Sequence, residues 1–374
     1  MRMLDRGRLR MLPLAERRHK LNIEVIAVRP GDPAGPLSPA LQAQVARCAE
    51  HIRQARAGER PVMLTYGGHL VKNGLGPTVI RLLEEGWVTH VATNGAGSIH
   101  DWEFASIGRS TEDVRENTAR GCFGTWEETG RWLNLAVAVG GLEGLGCGAA
   151  VGRMVAEDGL SVPDAAALRA RLAELAARPE PPETLGAVAD LLQLVERFAI
   201  APGRHRVAHP WRATSVQEAA WRLGRPFTVH PGVGYDIIYS HPLNCGGAIG
   251  RGATWDFLAY AESVSRLEGG VHLSVGSAVM APMIFEKSLS MANNLALAEG
   301  RPPLSRHYMA VVDIQEGGDW DWRSGEPPMD HPAYYLRFCK SFYRMGGTLD
   351  YLCVDNREFL LHLCAALGVG PVPA

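Results

Sequence analysis

The stretch PVMLTYGGHLVKNGLGPTVIRLLEEGWVTHVATNGAGSIHDWEF, residues 61–104, decides how the fold is predicted. Its run Pro61–Tyr66 is apolar and stops at Gly67-Gly68, as a buried parallel strand stops at the turn before a helix. Apolar residues then recur at helical spacing over Leu75–Leu83, and a second apolar run covers Trp87–Ala92. The stretch therefore predicts a strand, a glycine loop, a helix, a second strand and a second glycine loop.

Two glycine loops at the carboxyl ends of neighbouring parallel strands form a crevice in which backbone N–H groups can approach a phosphate or a nucleotide. The second loop here is TNGAGS, residues 93–98. Tight turns also need glycine, and the GxGxxG fingerprint of dinucleotide-binding proteins is absent. On these residues alone, a nucleotide site and an ordinary pair of turns remain open alternatives.

Further strand-like runs that end in glycine extend the pattern through the second half of the chain. Gly270–Val275 runs into Gly276-Ser277-Ala278, and His307–Gln315 runs into Glu316–Asp319. Repeated junctions of this kind predict an α/β fold, a Rossmann-like, doubly wound and mainly parallel sheet. Additional strands are expected within Arg225–Asp236, where a short strand runs into a glycine turn, and at Tyr351–Asp355.

The domain prediction follows from where this pattern begins and where it is interrupted. We predict an N-terminal arm and helix over residues 1–58, then a single Rossmann-like domain over residues 59–370 with a helical insert at about residues 125–215. In the first part, Leu21–Val28 is expected to be a strand, and Ser38 is expected to cap a helix over Pro39–Ala57.

Composition narrows the class of protein. The net charge of −2 and the pI near 6.7 show no excess of basic residues of the kind that binds nucleic acid. No apolar run approaches the roughly 20 residues of a membrane span. The seven cysteines lack CxxC spacing, which suggests neither a metal site nor a disulfide framework. We predict a cytoplasmic protein with reduced thiols and without a nucleic-acid or membrane partner.

Three residues in the second half are candidates for acid–base or nucleophilic chemistry. Asp236 and His241 lie five apart across a predicted turn, so each could serve as an acid, a base or an amine partner. The alternative is a helix-capping aspartate and a histidine satisfied by backbone groups. Lys340 lies in an apolar and aromatic helical run, where it is either a desolvated nucleophilic amine or a lysine that extends to solvent.

Several short motifs follow one another in the order of one family. The chain from about Pro61 to Ala366 resembles the deoxyhypusine synthases, which have a TTAGGxEED loop, an arginine-glutamate-asparagine segment, a GDMIYFHS strand end, a DGSDSGA loop and a WGK motif. The matching segments here are residues 93–101 (TNGAGSIHD), 115–117 (REN), 235–241 (YDIIYSH), 318–325 (GDWDWRSG) and 338–340 (FCK).

The resemblance implies a Rossmann-like homotetramer that binds NAD and a small, polyamine-like amine. Members of the family oxidise the amine with NAD and transfer part of it through a lysine imine. On this basis Lys340 is the nucleophile and Asp236 anchors an amine. The family's catalytic histidine has no counterpart here, so the candidates for a relocated base are His241, His230, His100 and His331. With the loop residue Lys72 added as a phosphate ligand, the predicted NAD-binding set is Gly68, His69, Lys72, Thr93, Asn94, Gly95, Ala96, Gly97, Asp101, Gly276, Ser277, Asp319 and Asp355.

The departures from the family pattern concern its catalytic groups. The GGGxPKHH signature is here GSAVMAPM, residues 276–283, without its histidine, and Arg323, Tyr334 and Phe338 replace acidic and tryptophan positions of the amine site. We therefore predict an NAD-dependent transferase or amine oxidoreductase acting on a small amine, and not a true deoxyhypusine synthase. The alternatives are a catalytically diverged nucleotide-binding or assembly protein of this fold, and an enzyme that acts on the nucleotide itself.

Overall fold

A computed structural model describes residues 2–177 and 182–370 of the chain. This part of the chain folds into two compact units, each built from segments that are not contiguous in sequence. Unit 1 contains residues 2–25, 98–177, 182–222 and 228–256, and unit 2 contains residues 26–97, 223–227 and 257–370. The division of the chain into an arm and a single domain stays a prediction.

Five strands of a six-stranded sheet lie in unit 2, and the third strand begins in unit 2 at Phe227 and continues with residues 228–230 of unit 1. Numbered along the chain, the strands of the sheet lie in the order 3-2-1-4-5-6, and every pairing from strand 2 across to strand 6 is parallel. This is the strand order of doubly wound dinucleotide-binding sheets, and it confirms the predicted fold class. The strands are Val62–Tyr66, His90–Asn94, Phe227–His230, Val271–Val275, Tyr308–Asp313 and Thr348–Cys353.

The strands form because their apolar residues are buried on both faces of the sheet. All five residues of the first strand and all five of the fourth are buried, as expected for a parallel sheet covered by helices. Leu64 is paired with Val91 on one side and Leu273 on the other. Helices cover the sheet, among them Pro39–Ala57, which begins at the predicted cap, where Ser38 Oγ accepts the Leu41 N–H at 3.3 Å.

The helices divide between the units as follows. Unit 2 contains Pro39–Ala57, Gly68–Lys72, Gly76–Glu84, Met280–Ala298, Arg337–Tyr343 and Asn356–Leu367. Unit 1 contains Val114–Ala119, Glu127–Gly140, Cys147–Ala156, Ala165–Ala176, Pro182–Arg197 and Val216–Arg222. Three helices contain residues of both units: Ile23–Ile26, Gly95–Ile107 and Gly246–Ser265.

Two local predictions were wrong. The expected strand Leu21–Val28 is reduced to Leu21–Asn22, which pairs with Arg109–Ser110, and Ile23–Ile26 is helical. The second glycine loop is instead the start of a helix, Gly95–Ile107, because the Asn94 side chain accepts the Gly97 N–H at 2.9 Å and holds the first turn.

A buried ion pair ties the N-terminal segment into unit 1. The Arg17 guanidinium donates to both carboxylate oxygens of Glu103, at 2.7 and 2.6 Å, and Thr129 and Ser110 donate further hydrogen bonds to this carboxylate. Burial would raise the pKa of Glu103, but the Arg17 charge and these hydrogen bonds hold it below its ordinary value. Glu103 is therefore an ionised group in the interior of unit 1.

The described residues contain neither a disulfide nor a long apolar helix. All seven cysteines are free thiols. Over residues 2–177 and 182–370, no single helix combines the length and the hydropathy of a membrane span; Glu127–Glu143 and Cys147–Ala156 reach both only when joined across a 106° bend.

His307, at the start of the fifth strand, is buried in unit 2 without polar compensation. It is 1% exposed, and neither ring nitrogen has a hydrogen-bond partner among the described residues. Burial lowers the pKa of His307 to about 4. Because the unfolded chain binds a proton near pH 6.5 and the folded chain does not, His307 lowers the free energy of unfolding as the pH falls from 6.5 towards 4.

We expect His307→Leu to stabilise the protein, and to do so more strongly in mild acid. Leucine removes the cost of keeping this side chain unprotonated in the folded state. At pH 5 this raises the free energy of unfolding by about 2 kcal/mol, whereas at pH 7.5 the gain is almost zero. Chemical unfolding of both proteins at the two pH values measures the difference. If the variant exceeds the unaltered protein in free energy of unfolding by the same amount at both pH values, His307 is not buried in its uncharged form.

Candidate functional site

The first and fourth strands end side by side, and their ends approach closely. Gly67 follows the first strand, and a Cβ atom on it would lie 2.4 Å from the carbonyl oxygen of Gly276, which follows the fourth strand. Gly276 has φ +59°, a conformation that favours glycine, and its N–H donates to the Val312 carbonyl at 2.9 Å. This is the switch point of the sheet, where the strand order reverses and ligands bind in doubly wound folds.

The second strand brings its own small residues to the same end of the first strand. Thr93 Oγ1 donates to the Tyr66 carbonyl at 3.0 Å. A Cβ on Gly97 would lie 1.9 Å from Thr93 Oγ1, and one on Gly68 would lie 3.1 Å from the Ala96 side chain. Four of the predicted cofactor residues, Gly68, Thr93, Ala96 and Gly97, therefore form one closely packed backbone junction.

A crevice of about 300 Å³ opens at the carboxyl ends of strands 1, 4, 5 and 6. Three predicted cofactor residues line it, namely His69, Gly276 and Asp355. The residues that sequence reasoning missed are Asn73, Val312, Asp313, Ile314, Val354 and Asn356. Each lies in or just after an expected strand or loop. The pattern that could have indicated them is a carboxylate that follows a valine where a strand ends, as in Val312-Asp313 and Val354-Asp355.

The polar groups of the crevice are partly engaged. Asp355 Oδ1 accepts the Arg357 N–H at 2.8 Å and Asp313 Oδ1 accepts the Gln315 N–H at 3.0 Å, so each carboxylate keeps a second oxygen. Asn73 donates to the Asn356 side chain at 2.8 Å. Burial, and then the charge of Lys72, lower the pKa of His69, which favours its neutral imidazole at neutral pH.

The other predicted cofactor residues have different surroundings. Ser277 is buried, and its hydroxyl accepts the Ala281 N–H at 3.2 Å near the start of the helix Met280–Ala298. Gly95 is the first residue of its helix. Lys72 ends the short helix Gly68–Lys72, and Asp319 is an exposed residue outside the crevice lining.

Asp101 is a structural carboxylate of unit 1. It is 1% exposed and accepts hydrogen bonds from the Ser215 hydroxyl, the Val216 N–H and both the backbone and the side chain of Gln217. These donors lie at the start of the helix Val216–Arg222. Since both carboxylate oxygens are occupied, Asp101 holds this helix in place.

Asp236 and His241 both belong to unit 1, and each has its own partners. Asp236 is 6% exposed and accepts the Gly232 N–H at 2.7 Å, and burial raises the pKa of Asp236 to about 6. His241 Nδ1 accepts the Leu243 N–H, and its Nε2 lies 3.1 Å from Glu127 Oε2. Burial lowers the pKa of His241, although Glu127 acts in the opposite direction. Both are buried and partnered, as in the alternative interpretation, but Asp236 does not cap the following turn.

Lys340 belongs to unit 2 and lies in the short helix Arg337–Tyr343. Its Nζ is 3.3 Å from the centroid of the Tyr334 ring. An aromatic face attracts a cation through the ring quadrupole, so Tyr334 is an interaction partner of the Lys340 side chain. Lys340 is absent from the crevice lining.

Comparisons with known proteins give matches to solved structures and none to family models or curated proteins. Partial structural matches include unliganded AgrE (TM-score 0.43, 16% identity, 89% of this chain and 34% of that chain) and the arginine dihydrolase ArgZ from cyanobacteria (TM-score 0.38, 15% identity, 87% and 32%). A putative LOR/SDH protein of Methanococcus maripaludis S2 has a TM-score of 0.42 at 12% identity, over 91% of this chain and 73% of that chain.

AgrE has also been solved in a ternary complex with ornithine and NAD+, with the same TM-score and identity. The chain spans about a third of the length of AgrE and ArgZ. None of the proteins named here is a deoxyhypusine synthase, so the family suggested by the motifs gains no support from these matches.

Proposed function

We propose that unit 2 binds NAD in the crevice and that the protein is an NAD-dependent enzyme acting on a small amino compound. The observation that carries the proposal is the strand order 3-2-1-4-5-6 together with the close approach of Gly67 and Gly276 at its switch point. Dinucleotides bind at this position in doubly wound sheets, where side-chain-free backbone can approach the pyrophosphate.

The residues of the crevice fit this cofactor. At the junction, Gly67 and Gly276 present backbone without side chains, and Lys72 supplies a cation whose charge acts on His69. The second oxygens of Asp313 and Asp355 can accept hydrogen bonds from ribose hydroxyls or from a substrate ammonium.

The chemistry follows from these groups. Bound NAD supplies a hydride acceptor for a carbon that carries an amine. Before oxidation the substrate ammonium must lose a proton, and His69, whose lowered pKa favours the neutral form, is the candidate base in the crevice. A crevice carboxylate holds and orients the ammonium.

The finer reaction that the motifs imply, transfer of an amine fragment through an imine at Lys340, requires a neutral lysine amine. That amine would also have to reach the crevice, but Lys340 is absent from the crevice lining and its Nζ lies over the Tyr334 ring. We therefore propose direct oxidation of the amine.

Asp355→Asn is the sharpest test, because asparagine also caps helices and the substitution removes the charge while one acceptor oxygen remains for the cap. We expect NADH to bind the unaltered chain and to bind this variant about 10- to 100-fold more weakly, the effect of losing a hydrogen bond to a charged group. NADH fluorescence titration measures the affinity. Asp164→Asn is the control, since Asp164 also caps a helix, Ala165–Ala176 in unit 1, by accepting a backbone N–H, and its substitution leaves the crevice intact.

NADH formation with a panel of amines and amino acids then tests the reaction, and borohydride treatment followed by mass spectrometry separates direct oxidation from an imine at Lys340. If NADH does not bind, or if Asp355→Asn and Asp164→Asn bind it equally well, the proposal for the crevice is wrong. Binding without turnover on any amine would favour a diverged nucleotide-binding protein.

A further inference from the structure

A second cavity lies entirely within unit 1. Its volume is about 410 Å³, in the range of small-molecule sites, and three of the nine tryptophans of the chain, Trp102, Trp132 and Trp211, line it. Such a concentration of indole rings provides apolar walls that also attract cations.

The walls are held in place by specific contacts. The Trp211 indole N–H donates to Glu24 Oε1 at 2.9 Å, and its ring packs on Gly108, where a Cβ would lie 2.7 Å from the ring. Gly108 has φ +66°, which glycine adopts readily. Arg109 lies opposite Asn22 in the two-residue antiparallel ladder of this unit. The site is thus built before any ligand enters.

Charge within the cavity is unbalanced. Arg17 lines it, but the Arg17 guanidinium is neutralised by Glu103. The remaining charged groups are the Glu24 and Glu128 carboxylates and the Arg109 guanidinium, which has no hydrogen-bond or ion-pair partner among the residues that the structure describes. One oxygen of Glu24 accepts from Trp211 and one of Glu128 accepts the Leu14 N–H at 2.6 Å, so each carboxylate retains a free oxygen.

We infer that this cavity binds a small amino acid that carries two amino groups and one carboxylate. Glu24 and Glu128 pair with the two ammonium groups, Arg109 pairs with the ligand carboxylate, and the methylene chain lies against the indole rings. The ligand's net charge of about +1 complements two carboxylates and one guanidinium. The inference goes beyond the proposed NAD chemistry and concerns residues of unit 1 only.

Calorimetric titration of the full chain with three ligands of similar length tests it. L-lysine has all three charged groups, L-norleucine lacks the side-chain ammonium and cadaverine lacks the carboxylate. We expect lysine to bind about tenfold or more tightly than either of the others, since each loses one charge-assisted contact. No dinucleotide is added, so failure here and failure of the NAD proposal are distinguishable.

Variants assign each contact. Arg109→Gln should reduce lysine affinity to about that of cadaverine and leave cadaverine unweakened. Glu24→Gln and Glu128→Gln should each weaken lysine about tenfold, and glutamine keeps an oxygen to accept from Trp211 or Leu14. Glu50→Gln, on the exposed face of Pro39–Ala57 in unit 2, is the charge-removal control and should change nothing.

Thermal melts of each variant confirm that it is folded before binding is compared. Absence of lysine binding, equal affinity for the three ligands, or an Arg109→Gln variant that still prefers lysine over cadaverine would each overturn the inference.

Discussion

Arg17→Met is expected to destabilise unit 1 by about 3–5 kcal/mol, because it leaves the Glu103 carboxylate buried without a counter-charge. The Glu103 side chain is 0% exposed and the Arg17 side chain 2% exposed, so solvent cannot replace the lost partner. Chemical unfolding at neutral pH measures the loss. Arg120→Met is the matched control: Arg120 and Glu116 form an exposed pair in the same unit, whose removal should cost no more than about 1 kcal/mol.

Two further measurements separate lost charge from lost packing. Replacing both partners, Arg17→Met with Glu103→Leu, should recover much of the stability, because a buried ion pair can often be exchanged for apolar side chains at little cost. The deficit of Arg17→Met alone should shrink in acid. In the unaltered chain, the lowered pKa of Glu103 adds to the free energy of unfolding at pH values above the ordinary pKa of a glutamate, and this contribution is lost as the pH falls through the lowered pKa. In the variant, protonation of Glu103 in acid removes the cost of a buried, unpaired charge. A deficit below about 1 kcal/mol at neutral pH would contradict a desolvated pair.

Gly67→Ala is expected to separate the ends of the first and fourth strands and to weaken NAD binding by about 10- to 100-fold. The added Cβ would meet the Gly276 carbonyl oxygen at 2.4 Å, and backbone on both sides has to move. Overpacking of this kind costs about 1–3 kcal/mol in stability, and a displaced cradle loses hydrogen bonds to a charged phosphate, each with about 1.5–3 kcal/mol.

Gly58→Ala provides a close control for Gly67→Ala. Gly58 has φ −89° against −91° for Gly67, but its added Cβ would meet its nearest atom, the Gln54 carbonyl oxygen, at an ordinary 3.5 Å. Unfolding and NADH titration of both variants distinguish the steric effect of the switch point from the general effect of replacing a glycine. Unchanged NADH binding in a folded Gly67→Ala protein would place the nucleotide elsewhere.

Much of the sheet could be predicted because its strands are buried on both faces. Runs such as Val62–Tyr66 and Val271–Val275 are therefore apolar throughout and end at glycine. The order of the strands could not be predicted. The residues of Val271–Val275 do not indicate that this strand pairs with the first strand, about 200 residues earlier, and not with the third. Glycine was ambiguous as well: at Gly95 and Gly97 it permits close packing at the start of a helix, which resembles a loop in sequence.

The candidate site was predicted in part for the same reason. His69, Gly276 and Asp355 lie within three residues of the ends of their strands, so the topology alone brings them to one edge. Asp101 also follows a predicted loop, yet its hydrogen-bond partners are 114–116 residues further along, at the start of another helix. Long-range partners of this kind decide whether a buried carboxylate binds a ligand or holds the fold, and single-sequence patterns do not contain them.

The ion pair between Arg17 and Glu103 has a consequence for synthesis on the ribosome. Arg17 emerges 86 residues before its partner, and the first two strands of unit 2 are translated in between. Unit 1 is complete only after residue 256, by which point unit 2 still lacks its fourth, fifth and sixth strands. The nascent chain therefore cannot finish one unit before starting the other, as tandem domains do, and Arg17 has to remain solvated until the segment that carries Glu103 has left the exit tunnel.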